Sequence, residues 1–126
     1  MTAGKAAILL IEDDIATQTL IHDVLECSGY ACITVGSAEE GMRLLETCRP
    51  ALILLDINLP GMDGVTAARQ LKGSSQTRSI KLIGMSAHAL INELSQIETA
   101  DFDGFITKPF SYKALLLLIE AQLAKP

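Results

Sequence analysis

Short apolar runs alternate with amphipathic stretches along the whole chain. Ala6–Ile11, Ala31–Val35, Leu52–Leu55 and Ile80–Met85 have the length of strands, and Asp103–Ile106 reads as a short fifth. Between them apolar residues return at helical spacing. Asp14 is placed to cap a helix whose apolar side is Leu20, Ile21, Val24 and Leu25, ending near Gly29. Ser37-Ala38-Glu39-Glu40 reads as a capping box that opens a second helix with Leu44 and Leu45 inward. Pro50 stops the chain before the third strand. Leu59-Pro60-Gly61-Met62-Asp63-Gly64 is turn chemistry, after which Val65, Ala68 and Leu71 share a helical face up to Gly73. Leu90, Ile91, Leu94 and Ile97 predict a fourth helix, and Ser111 caps a fifth reaching about Ala124.

Five strand-then-helix units with short connections imply a parallel sheet covered by helices on both faces. Right-handed crossovers leave few topologies open. In such sheets ligands gather beyond the carboxyl ends of the strands, where strand order reverses. The polar residues fall there. Glu12 and Asp13 follow the first run, Asp56 closes the third, Ser86 follows the fourth and Lys108 the fifth. Acids, a hydroxyl and an ammonium at one sheet end make a site for a divalent cation and a phosphoryl group.

Composition narrows the picture. The 126 residues are 49% apolar, which excludes a disordered chain, and they carry no linker or repeat, so residues 1–126 read as one domain. A net charge of −5 argues against direct nucleic-acid binding. No run approaches the ~20 apolar residues of a membrane span, and the first residues lack the apolar core of a signal peptide. Cys27, Cys32 and Cys48 are odd in number without CxxC spacing, so they read as reduced thiols of a cytoplasmic protein.

Four segments together carry a resemblance to a known family: Ile11-Glu12-Asp13-Asp14, Leu55-Asp56-Ile57-Asn58-Leu59-Pro60-Gly61-Met62-Asp63-Gly64, Met85-Ser86-Ala87 and Thr107-Lys108-Pro109-Phe110. In that order and at those separations, the chain resembles the receiver domain of two-component response regulators over essentially its whole length. The resemblance implies an α/β fold, the flavodoxin-like (βα)5 doubly wound parallel sheet with strand order 2-1-3-4-5. It also implies phosphorylation of Asp56 by a sensor histidine kinase or a histidine phosphotransfer protein.

The resemblance assigns further roles. Glu12, Asp13, Asp56 and the backbone carbonyl of Asn58 would hold Mg²⁺ (or Mn²⁺), with Glu12 acting through a bound water. Lys108 would neutralise the phosphoryl oxygens, Ser86 would hydrogen-bond them, and the Lys108–Pro109 bond would be cis. Phe105 stands where the family carries its switch aromatic, coupled to Ser86. Asn58 and His88 flank the approach of hydrolytic water and bear on phosphoryl lifetime. Asp14 reads as a helix cap and His22 as a surface residue.

The last helix is apolar all round at Leu115-Leu116-Leu117-Leu118-Ile119. Leu115, Ile119 and Leu123 should meet the core, leaving Leu116, Leu117 and Leu118 as an interface for a partner or a homodimer. Helix 4, strand 5 and helix 5 would report the phosphorylation state to a downstream protein. The chain ends at Pro126 with no DNA-binding module and begins near its first strand, so a stand-alone receiver is expected, one that turns over no metabolite. The alternative is a receiver excised from a larger hybrid kinase or DNA-binding response regulator. An aspartyl phosphatase would want an Asp where Asn58 stands, and a flavin protein leaves the acidic cluster unexplained.

Overall fold

Every described helix starts at a side chain that can cap it. In the computed structural model, which describes residues 6–59, 61–87, 99 and 101–125, Asp14 Oδ2 accepts from the Thr17 N–H at 2.9 Å and opens α1 (Ile15–Cys27). Ser37 Oγ accepts from Glu40 N–H at 3.1 Å and opens α2 (Ala38–Leu44). Asp63 Oδ1 accepts from Thr66 N–H at 2.8 Å and opens α3 (Gly64–Gly73). Ser111 Oγ accepts from Ala114 N–H at 3.0 Å and opens α4 (Tyr112–Leu123), the last helix. Each satisfies an N–H that a helix start leaves without an intrahelical partner, an effect of about 1 kcal/mol.

The strands are β1 (Ala7–Ile11), β2 (Ala31–Val35), β3 (Leu52–Asp56), β4 (Lys81–Ala87) and β5 (Gly104–Lys108). They pair in parallel in the order β2-β1-β3-β4-β5, the flavodoxin-like arrangement expected from the sequence. Alternate residues feed two cores. Ile8, Leu10, Leu52 and Leu54 pack with Ile21, Leu25, Leu115 and Ile119 on one face. Leu9, Ile11, Ile53 and Leu55 pack with Ala67, Ala68 and Leu71 on the other. All five residues of β3 are buried, which explains a continuous apolar run with a single acid at its end.

Three expectations change. β4 and β5 run beyond Met85 and Ile106, because pairing continues through Ser86↔Thr107 and Ala87↔Lys108. Ser86 and Lys108 are therefore strand residues rather than followers of strands. Leu20 does not join the buried side of α1; it is 53% exposed, while Ile21 and Leu25 fill the stripe. Of the three α4 leucines expected at an interface, only Leu117 stands out, at 56% exposed, whereas Leu116 and Leu118 pack partly against the core. The expected interface triad is thus one exposed leucine with two half-buried neighbours. The predicted helix bearing Leu90, Ile91, Leu94 and Ile97 lies outside the described residues, as does His88.

Candidate functional site

Strand register decides which polar side chains meet. Ile11 pairs with Leu55, so Glu12 and Asp56 arrive together one step further along β1 and β3. Glu12 is 1% exposed and Asp56 5%. Lys108 Nζ, at the end of β5, donates to Glu12 Oε1 at 2.8 Å and to Asp56 Oδ2 at 3.3 Å. The remaining carboxylate oxygens are also answered: Glu12 Oε2 accepts from Asp14 N–H at 3.1 Å, and Asp56 Oδ1 from Asn58 N–H at 2.9 Å. Asp13 is exposed beside them. One oxygen each from Glu12, Asp13 and Asp56 lies within 4.8 Å of the others. Buried Ser86 and exposed Asn58 complete a cleft of about 580 Å³.

Electrostatics follow from that crowding. Burial pushes the Glu12 carboxyl above its ordinary range and the Asp56 charge adds to this, while Lys108 and the Asp14 N–H pull it back. Burial lowers the Lys108 ammonium, but its bond to Glu12 and the charges of Asp56 and Glu12 outweigh it, so its affinity for the proton is raised. Two unit charges about 4 Å apart repel by roughly 4 kcal/mol at an effective dielectric of 20. One ammonium cannot neutralise three carboxylates. The donor set suits a hard divalent cation: oxygens about 3–4 Å apart bind octahedral Mg²⁺, within small side-chain shifts of the spacing here.

The surrounding elements hold these groups in ways the sequence reading missed. The Gln18 side-chain amide donates to the Glu12 carbonyl and, at 3.4 Å, to the Val35 carbonyl, joining the ends of β1 and β2. A Cβ on Gly64 would stand 2.4 Å from Ile57 Cα and 2.7 Å from the Asp56 carbonyl oxygen, so α3 can abut β3 only through glycine. The sequence marked Gly64 as turn chemistry; close backbone approach is the actual requirement. The Lys108–Pro109 bond is cis, as expected. Phe105 is half-buried with its ring against Phe102. Exposed Leu20 and Tyr112, with Pro109 and Phe110, line an apolar groove of about 230 Å³ that shares Lys108 with the cleft. His22 is partly exposed, with ring nitrogens near Asp23 and Glu26, away from the cleft.

Comparison with known proteins agrees with this geometry. Residues 8–120 match the response regulator receiver domain family. The chain is 30% identical over 117 residues to the polar-differentiation response regulator DivK of Brucella anthropi, covering 93% of this chain and 95% of DivK. It is 39% identical over 109 residues to the sensor protein TorS of Escherichia coli, covering 86% of this chain but only 12% of TorS. The receiver domain of a sensor histidine kinase from Pseudomonas aeruginosa PAO1, with a magnesium ion coordinated in its active-site cleft, superimposes with a TM-score of 0.88. That pair is 29% identical, covering 98% of this chain and all of the other. No helix among the described residues is long and apolar enough to cross a membrane. The chain belongs to the response regulator receiver domain family of two-component signal transduction.

Proposed function

We propose that this receiver takes a phosphoryl group onto Asp56 from a phosphohistidine of a sensor kinase or phosphotransfer protein in the cytoplasm. A carboxylate needs no base to act as nucleophile. An Asp56 oxygen bonds to phosphorus as the phosphorus–nitrogen bond breaks, and the bond pair leaves with the donor imidazole. Lys108, already bonded to Asp56, meets the charge on the phosphoryl oxygens. Ser86 offers its hydroxyl to the same group. Glu12, Asp13, Asp56 and the Asn58 carbonyl would hold Mg²⁺ or Mn²⁺, which supplies charge neutralisation among the carboxylates and on the phosphoryl group. Asn58 and His88 bear on how long the acyl phosphate survives. The protein catalyses only its own phosphorylation and dephosphorylation.

The observation that carries this reading is the ammonium of Lys108 bonded to two buried acids, with Asp13 beside them. Output passes through protein contacts on the β5 and α4 side, where Phe105 and the exposed Leu117 lie, to a downstream target or a second copy. The single domain acts alone, as its match along nearly all of DivK favours. The TorS match favours the second reading, a receiver within a larger hybrid kinase.

The test is intact-protein mass spectrometry after incubation with acetyl phosphate, with and without Mg²⁺. One phosphoryl adduct on the wild type in Mg²⁺, absent from Asp56→Ala, is the expected result. Equal labelling of Asp56→Ala would overturn the assignment.

A further inference from the structure

Gly84 of β4 and Phe105 of β5 face each other across the parallel pair. A Cβ on Gly84 would lie 2.9 Å from Phe105 Cδ1, 2.9 Å from Phe105 Cε1 and 2.9 Å from Phe102 Cε1. Both rings therefore rest directly on bare strand, with centroids 4.7 Å apart and planes at 39°. Phe102 is 9% exposed and joins the core that contains Leu82. Strand residues alternate, so positions 82, 84 and 86 share one face of β4, and Ser86 stands about 6.6 Å along from Gly84. The Phe105 ring thus occupies the same lane as the hydroxyl beside the cleft.

We infer that Gly84 and Phe102 form a seat for the Phe105 ring, and that the hold of this seat sets how far phosphorylation reorganises the β4–β5 surface. The coupling rests on the reading of Asp56 as phosphoacceptor; the seat itself does not. A phenylalanine has no hydroxyl to anchor either position, so packing alone decides where its ring rests. Tilted rings at this separation attract, and an aromatic side chain laid across a strand glycine shields exposed backbone. A signal shifts a two-state element only by the difference in its interaction with the two states. A tighter seat therefore lowers the response and a spoiled seat pre-empts it. Gly84 and Phe102 are positioning residues; neither touches the cleft.

Fluorine NMR tests this on protein carrying 4-fluorophenylalanine at its three phenylalanines, with resonances assigned by single Phe→Leu variants. Spectra are taken before and after acetyl phosphate and Mg²⁺, with the adduct counted by mass spectrometry. In unphosphorylated Gly84→Ala and Phe102→Leu, the Phe105 resonance should move more than half-way to its wild-type phosphorylated position. Phosphorylation should then move it less than half as far as in the wild type. An unmoved resonance in both unphosphorylated variants overturns the seat. A moved resonance with an undiminished phosphorylation-linked shift overturns the coupling. Absence of any Asp56 adduct on the wild type overturns the phosphoacceptor reading and the coupling with it, while the unphosphorylated spectra still decide the seat. Phe102→Leu keeps the test decisive if Gly84→Ala does not fold.

Discussion

Lys108 Nζ binds Glu12 at 2.8 Å and Asp56 at 3.3 Å, and the charge balance of the cleft turns on it. Glu12 titrates above its ordinary value chiefly because it is buried, with Lys108 opposing the shift. A raised carboxyl pKa means the folded state holds the proton more tightly than the unfolded one. Its contribution to stability is full below the unfolded value near 4.5 and is lost as pH rises through the folded value. Lys108→Met removes the opposing bond and should steepen that loss. Urea denaturation in a chelator should show the variant falling behind the wild type by about 1–3 kcal/mol between pH 4.5 and 7; parallel pH profiles would refute it. Cys32 offers a second titration. Burial, then the Glu26 charge, push its thiol up to about 12, so it stays protonated at pH 8. Exposed Cys27 should alkylate with iodoacetamide about tenfold or more faster, as peptide mass spectrometry would show, with the gap narrowing as pH approaches 12. At this scale Glu12, Asp13, Asp56 and Lys108 were legible because residue type and strand-end position coincide. Gln18 was not, since a glutamine one turn into an amphipathic helix looks like any solvated polar residue.

Secondary elements place those residues, and the tightest junction is between β3 and α3. Gly64 begins α3, donates its N–H to the Ile57 carbonyl at 2.9 Å, and leaves no room for a Cβ against the backbone of residues 56 and 57. Backbone cannot turn aside as a side chain can. Gly64→Ala should therefore destabilise the fold by about 1–3 kcal/mol and slow phosphorylation of Asp56 by acetyl phosphate. Thermal unfolding and adduct mass spectrometry together check it, and a variant as stable and reactive as the wild type would show that the junction yields. The strand–helix order was readable because continuous apolar runs and period-3.6 patterns alternate cleanly and Asp14, Ser37 and Ser111 announce their helices. The extents of β4 and β5 were not, because Ser86 and Lys108 are polar residues held in strand by the pairing of neighbours rather than by local propensity. Leu20 misled for a related reason: one helical step from Ile21 turns a side chain by 100°, enough to leave the buried stripe.

Across the whole molecule, polar chemistry and exposed apolar surface meet at one end. The acidic cleft and the groove of Leu20, Pro109, Phe110 and Tyr112 share Lys108, so the groove adjoins Asp56 on one side of the cleft. Leu20 and Tyr112 are 53% and 40% exposed, a cost the monomer gains nothing from. A small donor such as acetyl phosphate fits the cleft without touching the groove, whereas a helix bearing phosphohistidine that docks on the Lys108 side of the cleft would cover it. Burying a leucine contributes about 1.5–3 kcal/mol, and each 1.4 kcal/mol is a factor of ten in affinity. Leu20→Glu and Tyr112→Glu should therefore slow transfer from a phosphohistidine phosphotransfer protein that labels the wild type by about tenfold or more. Labelling by acetyl phosphate should stay within about twofold, since surface substitutions of this kind leave the fold within about 0.5 kcal/mol. The comparison is the ratio of the two rates, measured by adduct mass spectrometry under single-turnover conditions. A ratio unchanged from the wild type would place the donor elsewhere on the rim of the cleft; rates falling together would mean that the substitutions disturb Lys108 itself.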